Sequence, residues 1–403
     1  MKQCRFEELK IKGFEDVDIE KLVKVYLEFY NKSRSIKEIK KFYFNSRFFT
    51  RFDYEYVQSE GNHAIAFYSD LYFRQDHFDN FTKFITHFPQ FDYVIPKKRK
   101  TDTFSISRAA KMLLKDIEIW SQVKKLNIEK KLQWWLLYRL GLIFRYYRLM
   151  EGLTKNRPYS YALVYNDSCP YENMLIQKFN TRGVHTATLQ HGKFDLNGNW
   201  KGIEFRMSVA DDFLAWNEWT KDLAHEAGLN NVLVLGIPRY ISYSPVVKNE
   251  ENIFCVVLGD KASDSENKEL IGMANQLAEH SGLKFYFRYH PLNHNPQYEQ
   301  MASEKYWMSD ERKETIPEMC ENSKFCLVGS GTSMVVDFIF YKQDFYEYND
   351  NKQPHRKNTF RTSEELFELY DSGRARIDED MFQYYCTTHE VWQNYKKYFD
   401  SLL

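Results

Sequence analysis

The sequence predicts an α/β protein built of two doubly wound domains facing a cleft, with extra helices near its N-terminal end. Three observations carry this expectation. The chain has 403 residues, too many for one ordinary hydrophobic core. A compact strand–helix–strand unit spans residues 161–189, and such a unit implies a parallel sheet. Two histidine motifs about a hundred residues apart, Gln190-His191-Gly192 and Arg288-Tyr289-His290-Pro291, each follow directly on an apolar run. Each histidine therefore falls where a strand runs out into a loop, and in open α/β sheets that edge is where ligands bind.

In chain order, residues 18–48 read as helical, with Ile19, Leu22, Val23, Val25, Tyr26 and Phe29 recurring at roughly helical spacing. Residues 63–69 read as a first buried strand and 92–96 as a weaker one. Residues 106–150 read as one or two long helices, of which 134–148 is dense in aromatics and arginines. Two readings of that segment stand side by side. It is a helix lying on an anionic membrane surface, or a buried helix whose arginines snorkel to the rim. Residues 162–165 form a short strand, Asn166, Asp167 and Ser168 offer helix N-caps with Glu172 in the first turn, and Gly183 closes the helix over 171–180. Strands are expected at 184–189 and 212–216 and a helix before Gly228, and the stretch 231–239 ends that half. The polar stretch 240–252 reads as an interdomain linker. The second half offers strands at 253–259, 283–288, 325–329 and 344–348, and helices near 268–280, from Thr332, from Ser363 and over 380–403.

Composition excludes several classes. Hydrophobic residues make up 43% and aromatics 17%, ample for two cores. Lys+Arg and Asp+Glu are both 56, which argues against a dedicated nucleic-acid binder. The balance is uneven, with 14 basic against 4 acidic residues between Lys97 and Arg148. The six cysteines contain no CxxC pair, so neither a disulfide framework nor a zinc site is expected, and a reducing compartment is. Residues 1–13 lack the apolar core of a signal peptide, and no run of about 18 apolar residues offers a membrane span. These points predict a cytoplasmic protein.

The segment Gly329-Ser330-Gly331-Thr332-Ser333 is suited to phosphate: glycines admit close backbone approach, and a helix start offers free N–H groups. It lacks the lysine of a P-loop, and its bland alternative is a strand-to-helix turn with Ser/Thr caps. Asp337 follows one turn later, placed to reach a ribose hydroxyl or simply to meet the helix dipole. His290 precedes a proline, which pushes its backbone to extended geometry, and Arg288 alternates onto the same face. Both suit a diphosphate. His191 suits a general base near neutral pH, with Asp167 on the neighbouring strand end as a candidate orienting partner. No DxD occurs between apolar runs, and His290 with His294 lacks a third ligand, so the chemistry is expected to need no metal and no cofactor. No GxSxG elbow supports a hydrolase.

Residues 189–192, 235–239, 288–291 and 329–333 with Asp337 together resemble bacterial glycosyltransferases of the GT-B type, with two Rossmann-like domains, that build surface polysaccharides such as capsule and lipopolysaccharide. The related CDP-glycerol glycerophosphotransferases of teichoic-acid synthesis share the pattern. The resemblance covers roughly residues 160–345. It implies an acceptor-binding domain over 1–242 with a helical insert at 106–150, a nucleotide-donor domain over 253–380, and a helical segment over 381–403. His191 matches the base. His290 matches the histidine on the donor phosphates, Ser330, Thr332 and Ser333 match the phosphate loop around Gly331, and Asp337 matches the acid that follows. Gln190 stands where the glycerophosphotransferases often carry tryptophan, which favours a sugar transferase. The expected activity is inverting, metal-independent transfer of a sugar from a nucleotide-activated donor to a hydroxyl of a growing surface glycan. The partners would be the nucleotide sugar and a glycan or lipid-linked acceptor, with peripheral contact to the inner face of the plasma membrane through 134–148 and no nucleic acid. A CDP-alditol phosphotransferase, a nucleotide-sugar epimerase and a non-catalytic glycan- or nucleotide-sugar-binding module are the alternatives.

Overall fold

The computed structural model describes residues 9–28, 35–48, 53–59, 61, 63–69, 75–97, 106–154, 157–192, 202–242, 246–249, 252–290, 293–309, 314–330, 332–348, 357–373, 376–386 and 388–403. Gly331 and Pro291 lie outside the described residues. By internal packing the chain divides into two units. The first comprises Met1–Ala215, Thr220–Ile241 and Trp392–Leu403, and the second Trp216–Trp219 and Ser242–Val391.

The first unit opens with helices α1 (Ile19–Glu28) and α2 (Ile36–Phe48), then β1 (Tyr54–Val57), β2 (Ala64–Phe67), α3 (Gln75–Ile85) and β3 (Phe91–Pro96). Two long helices follow, α4 (Ile106–Val123) and α5 (Lys130–Thr154). The chain then alternates: β4 (Tyr161–Val164), α6 (Pro170–Asn180), β5 (His185–Leu189), α7 (Ile203–Met207), β6 (Asp212–Ala215), α8 (Glu218–Glu226) and β7 (Val232–Val234). The seven strands form one sheet in the order β1-β3-β2-β4-β5-β6-β7. All pairings are parallel except β1 on β3. Every residue of β2 and β4 is buried, as expected for strands covered by helices on both faces. The segment that read as a weaker strand is β3, an inner strand that ends at Pro96, where a missing N–H costs least. The half-exposed edge strand β1 escaped the sequence reading.

The start of α6 also differs from expectation. Its cap is Cys169, with Pro170 at the first helical position, rather than one of the residues 166–168. Glu172 in the first turn is buried, and its carboxylate accepts from the backbone N–H groups of Ser69 and Asn166. The acid thus ties together the chain just beyond β2 and β4.

Helix α5 is core. Trp135, Leu136, Leu137, Leu140, Gly141, Leu142, Ile143, Tyr146 and Tyr147 are all buried. Arg148 reaches the rim and pairs with Glu151, and the half-buried Arg145 donates to the Ser46 carbonyl. Of the two readings of 134–148, the buried one describes the structure, so membrane contact through this segment is corrected. Beneath α5 lies a buried ion pair between α2 and α4, in which Arg47 Nε and Asp116 Oδ2 are 2.6 Å apart and the Tyr43 hydroxyl also donates to Asp116. A Cβ at Gly141 would collide with the Arg47 guanidinium and the Asp116 carboxylate, so the glycine lets α5 close over the pair.

The second unit carries β8 (Ile253–Val257), α9 (Asp264–Ser281), β9 (Lys284–Arg288), the short helices α10 (Gln297–Met301) and α11 (Ile316–Asn322), β10 (Cys326–Val328), α12 (Met334–Phe340), β11 (Phe345–Tyr348), β12 (Thr359–Phe360), α13 (Ser363–Asp371) and α14 (Glu379–Tyr385). Its five strands run parallel in the order β12-β11-β10-β8-β9. Gly282 ends α9 with φ of 74°, a left-handed conformation suited to glycine. The last helix, α15 (Val391–Leu402), returns to the first unit. There Tyr395 and Phe399 are fully buried, with Tyr395 against Phe84 and Phe399 against Phe88, Phe91 and Tyr161. The expected separate segment over 381–403 is therefore split between the two units.

Candidate functional site

The strand order reverses once in each sheet. In the first, β2 has β3 on one side and β4 on the other; in the second, β8 lies between β9 and β10. Ligands in such sheets bind outside the carboxyl ends of the strands at the reversal. The sequence-predicted residues can be placed against these two positions, each within its own unit.

At the first reversal the ends of β2 and β4 carry Tyr68 and Tyr165, whose rings meet edge to face at 5.1 Å. His191 follows β5, the next strand over, with its ring 6.2 Å from that of Tyr165 and 6.4 Å from that of His77 on α3. Asn166 brings its Nδ2 to within 3.2 Å of His191 Nε2. The amide's orientation is fixed by Ser168, whose backbone N–H and hydroxyl both donate to Asn166 Oδ1 at 3.0 and 2.6 Å. With its oxygen so engaged, Asn166 presents its NH2 group to the ring, so Nε2 must be the acceptor. The arrangement thus selects the neutral tautomer with the lone pair on Nε2.

Asp167 does not orient His191. Its Oδ2 accepts from the Ser208 hydroxyl at 2.7 Å and from the N–H groups of Val209 and Ala210 at 2.8 and 3.1 Å. It is buried, and burial pushes its carboxyl above the usual range while these donors pull it back down. Asp167 braces the 208–210 loop, and the residue on the imidazole is its neighbour Asn166. The sequence reading had taken Asn166 only for a helix cap. His77 carried no sequence signal, because only the fold brings α3 to the end of β4.

At the second reversal, beyond β8, the Gly259 backbone is held by Asn267, which accepts from its N–H at 2.7 Å and donates to its carbonyl. Asn293 donates to the same carbonyl at 3.0 Å, and its N–H donates to the His290 carbonyl at 2.8 Å. These amides join the end of β8 to the His290 turn that follows β9. Arg288, on β9, donates to the Glu314 carbonyl at 2.7 Å.

The phosphate-loop candidates make separate local contacts. Ser330 lies just beyond β10 and donates to Glu266 Oε2 at 2.6 Å. A Cβ at Gly329 would run into that same carboxylate, so Gly329 makes room for Glu266. Burial raises the Glu266 carboxyl, and the Ser330 donors lower it in part. Thr332 Oγ1 accepts from the Met334 N–H at 3.3 Å, and Ser333 is already helical in backbone. Asp337, at the fourth position of the seven-residue α12, is 1% exposed and belongs to the interior of the unit. Glu266, in the first turn of α9, is the residue the sequence reading missed. In the sequence it sat inside the polar stretch 260–267 that read as a loop before the helix. Among the described residues no group of three His, Cys, Asp or Glu side chains is placed to hold a metal ion.

No family model matches the chain. No curated protein matches it in sequence. Solved structures do match in fold. The Staphylococcus aureus MnaA structure with UDP aligns with a TM-score of 0.52 at 12% identity, covering 85% of this chain and 98% of that one. A putative UDP-N-acetylglucosamine 2-epimerase from Listeria monocytogenes aligns with a TM-score of 0.51 at 10% identity, covering 84% and 96%. The UDP-GlcNAc 2-epimerase from Neisseria meningitidis, bound to UDP-GlcNAc, gives 0.50 at 11%, covering 84% and 98%. At such identities the likeness is one of fold. The chain has the fold of GT-B-like proteins, two α/β domains with parallel sheets.

Proposed function

We propose that the chain transfers a sugar from a nucleotide-activated donor to a hydroxyl acceptor. The observation that carries this reading is the His191 lone pair, fixed on Nε2 by Asn166 at 3.2 Å at the carboxyl edge of a parallel sheet. In the mechanism, an acceptor hydroxyl takes the place of the Asn166 N–H and passes its proton to Nε2. Its oxygen attacks the anomeric carbon as the bond to the donor's phosphate oxygen breaks, inverting that centre. In this reading the departing nucleotide's charge is met by His290, Arg288, Thr332, Ser333 and the loop N–H groups of the second unit. Residues 97–148 are basic overall, in keeping with an acceptor on an anionic carrier of a growing surface glycan.

A second reading is supported by the relatives in fold. Three are described as UDP-GlcNAc 2-epimerases or hold UDP, which favours a UDP-sugar ligand and admits epimerisation. Donor alone separates the two: an epimerised nucleotide sugar without acceptor identifies the epimerase, and acceptor-dependent nucleotide release identifies the transferase.

The first test is thermal unfolding against CMP, CDP, UDP, GDP and dTDP. A nucleotide at about a hundred times its dissociation constant adds roughly 2.7 kcal/mol. UDP is expected to stabilise, and His290→Ala is expected to weaken its binding about tenfold, the size of one lost charge-assisted contact. Selective stabilisation by CDP points instead to alditol phosphate transfer. No shift with any nucleotide removes the donor site.

A further inference from the structure

Helix α4 has an apolar surface that its own unit does not cover. Its inner face is settled: Asp116, Ile119 and Val123 are buried against the bundle. A second set, Ile106, Ala110, Leu113, Leu114 and Ile117, recurs at the spacing of one helix face. Ile106, Leu113, Leu114 and Ile117 are 69%, 55%, 74% and 58% exposed. Scattered exposed leucines are normal, but a contiguous stripe along three turns of one helix marks a contact surface.

The charge around the stripe selects its occupant. Within residues 36–48 and 106–129, Arg47 is neutralised by Asp116 and Lys115 pairs with Glu118. Among the residues whose side chains are described, six basic residues then remain against two acidic ones: Lys37, Lys40, Lys41, Lys111, Lys124 and Lys125 against Glu38 and Glu129. Lys111 is exposed on α4 itself, and Lys124 and Lys125 are exposed just past its end. Lys37 and Lys41 are exposed on α2, which packs beside α4 through the buried ion pair.

We propose that α4 is an interfacial helix that seats this protein on an anionic lipid surface. Its apolar stripe enters the boundary between headgroups and acyl chains, and the lysines meet the lipid charge. A second copy of the chain is a poorer occupant. Residues 106–117 give a stripe roughly 18 Å long and about 10 Å wide, far below the ~800 Å² per partner of a standard interface. Self-pairing would also bring lysines against lysines. The proposal is independent of the reaction proposed above, and it moves the membrane contact that the sequence suggested for 134–148 to the preceding helix.

The test is co-sedimentation of the full chain with vesicles of phosphatidylcholine alone and with vesicles that also contain phosphatidylglycerol. The protein is expected to bind the phosphatidylglycerol vesicles at least about tenfold more strongly, less so at high salt. The double substitution Leu114→Glu and Ile117→Glu should abolish that binding while leaving the melting temperature and any nucleotide-induced shift unchanged. Absence of binding to the anionic vesicles overturns the proposal. So does equal binding by the double variant. A dimer seen by light scattering that the double substitution dissolves would assign the stripe to a second copy instead.

Discussion

The two carboxyl edges of this molecule are built from different materials. The first, beyond β2, β4 and β5, is aromatic: Tyr165 and His77 flank His191, Tyr68 packs on Tyr165, and one amide fixes the tautomer of that histidine. The second, beyond β8, β9 and β10, is made of glycines, amides and hydroxyls, with a carboxylate set among them. The first edge controls where a proton sits, and the second controls where backbone N–H groups point. An imidazole lone pair held in a wall of rings suits acid–base chemistry. Amides and hydroxyls gathered at a strand exit suit a ligand with many oxygens. The carboxylate at the second edge is the exception, since Glu266 puts negative charge beside Ser330, one of the proposed phosphate-binding residues.

Three substitutions press on that contrast. His191→Ala should lower turnover by about 10²–10⁴-fold while preserving nucleotide binding, read as kcat against the thermal shift. If nucleotide affinity falls instead and turnover is kept, the roles of the two edges are reversed. Asn166→Asp offers an acceptor where the amide offered a donor, so Nε2 becomes protonated and the base is blocked. A fall of about tenfold in kcat is expected, roughly one hydrogen bond to a charged group. Its pH–rate profile should shift to higher pH, because a carboxylate stabilises the imidazolium. A structural role alone would leave the profile in place. The smallest effect belongs to Glu266→Gln, which keeps a partner for Ser330 and removes the charge. Affinity for a nucleoside diphosphate should rise by a few-fold at neutral pH, as expected for loss of one screened repulsion. Because burial raises this carboxyl, the native group takes up its proton early as pH falls, and the difference between the proteins should shrink on acidification. Weaker binding by Glu266→Gln would show that the carboxylate itself holds a ligand hydroxyl.

Much of the architecture was legible because parallel strands are short, apolar and bounded by turns. The strand–helix–strand run over 161–189 and the positions of His191, His290 and Ser330 at strand exits follow from local pattern. What local pattern hides is which neighbour a side chain chooses. Asp167 and Asn166 are adjacent, both polar and both at a strand exit, and the acid looked the better partner for an imidazole. The fold turns Asp167 toward the 208–210 backbone and leaves the amide on His191. In the same way, Glu266 and Ser330 are 64 positions apart, and only the juxtaposition of α9 and β10 joins them. Helices α4 and α5 show the limit from the other side. The segment richer in tryptophan and arginine admitted both a membrane-surface and a buried reading, and its apolar side chains are buried in the bundle. The plainer α4 carries the exposed apolar stripe, because burial depends on what packs against a helix and not on its composition alone.

The return of α15 to the first unit has a consequence for how this protein is made. Tyr395 and Phe399, which fill the wall between Phe84, Phe88, Phe91 and Tyr161, emerge from the ribosome only after the whole of Ser242–Val391. Synthesis of the first sheet is therefore separated from its completion by 150 residues of unrelated folding. Through that interval the nascent chain displays a row of aromatic rings, a natural site for chaperone binding. Quality control on this enzyme-like fold is thereby tied to its last helix: a message truncated anywhere in the second unit leaves the first one open as well.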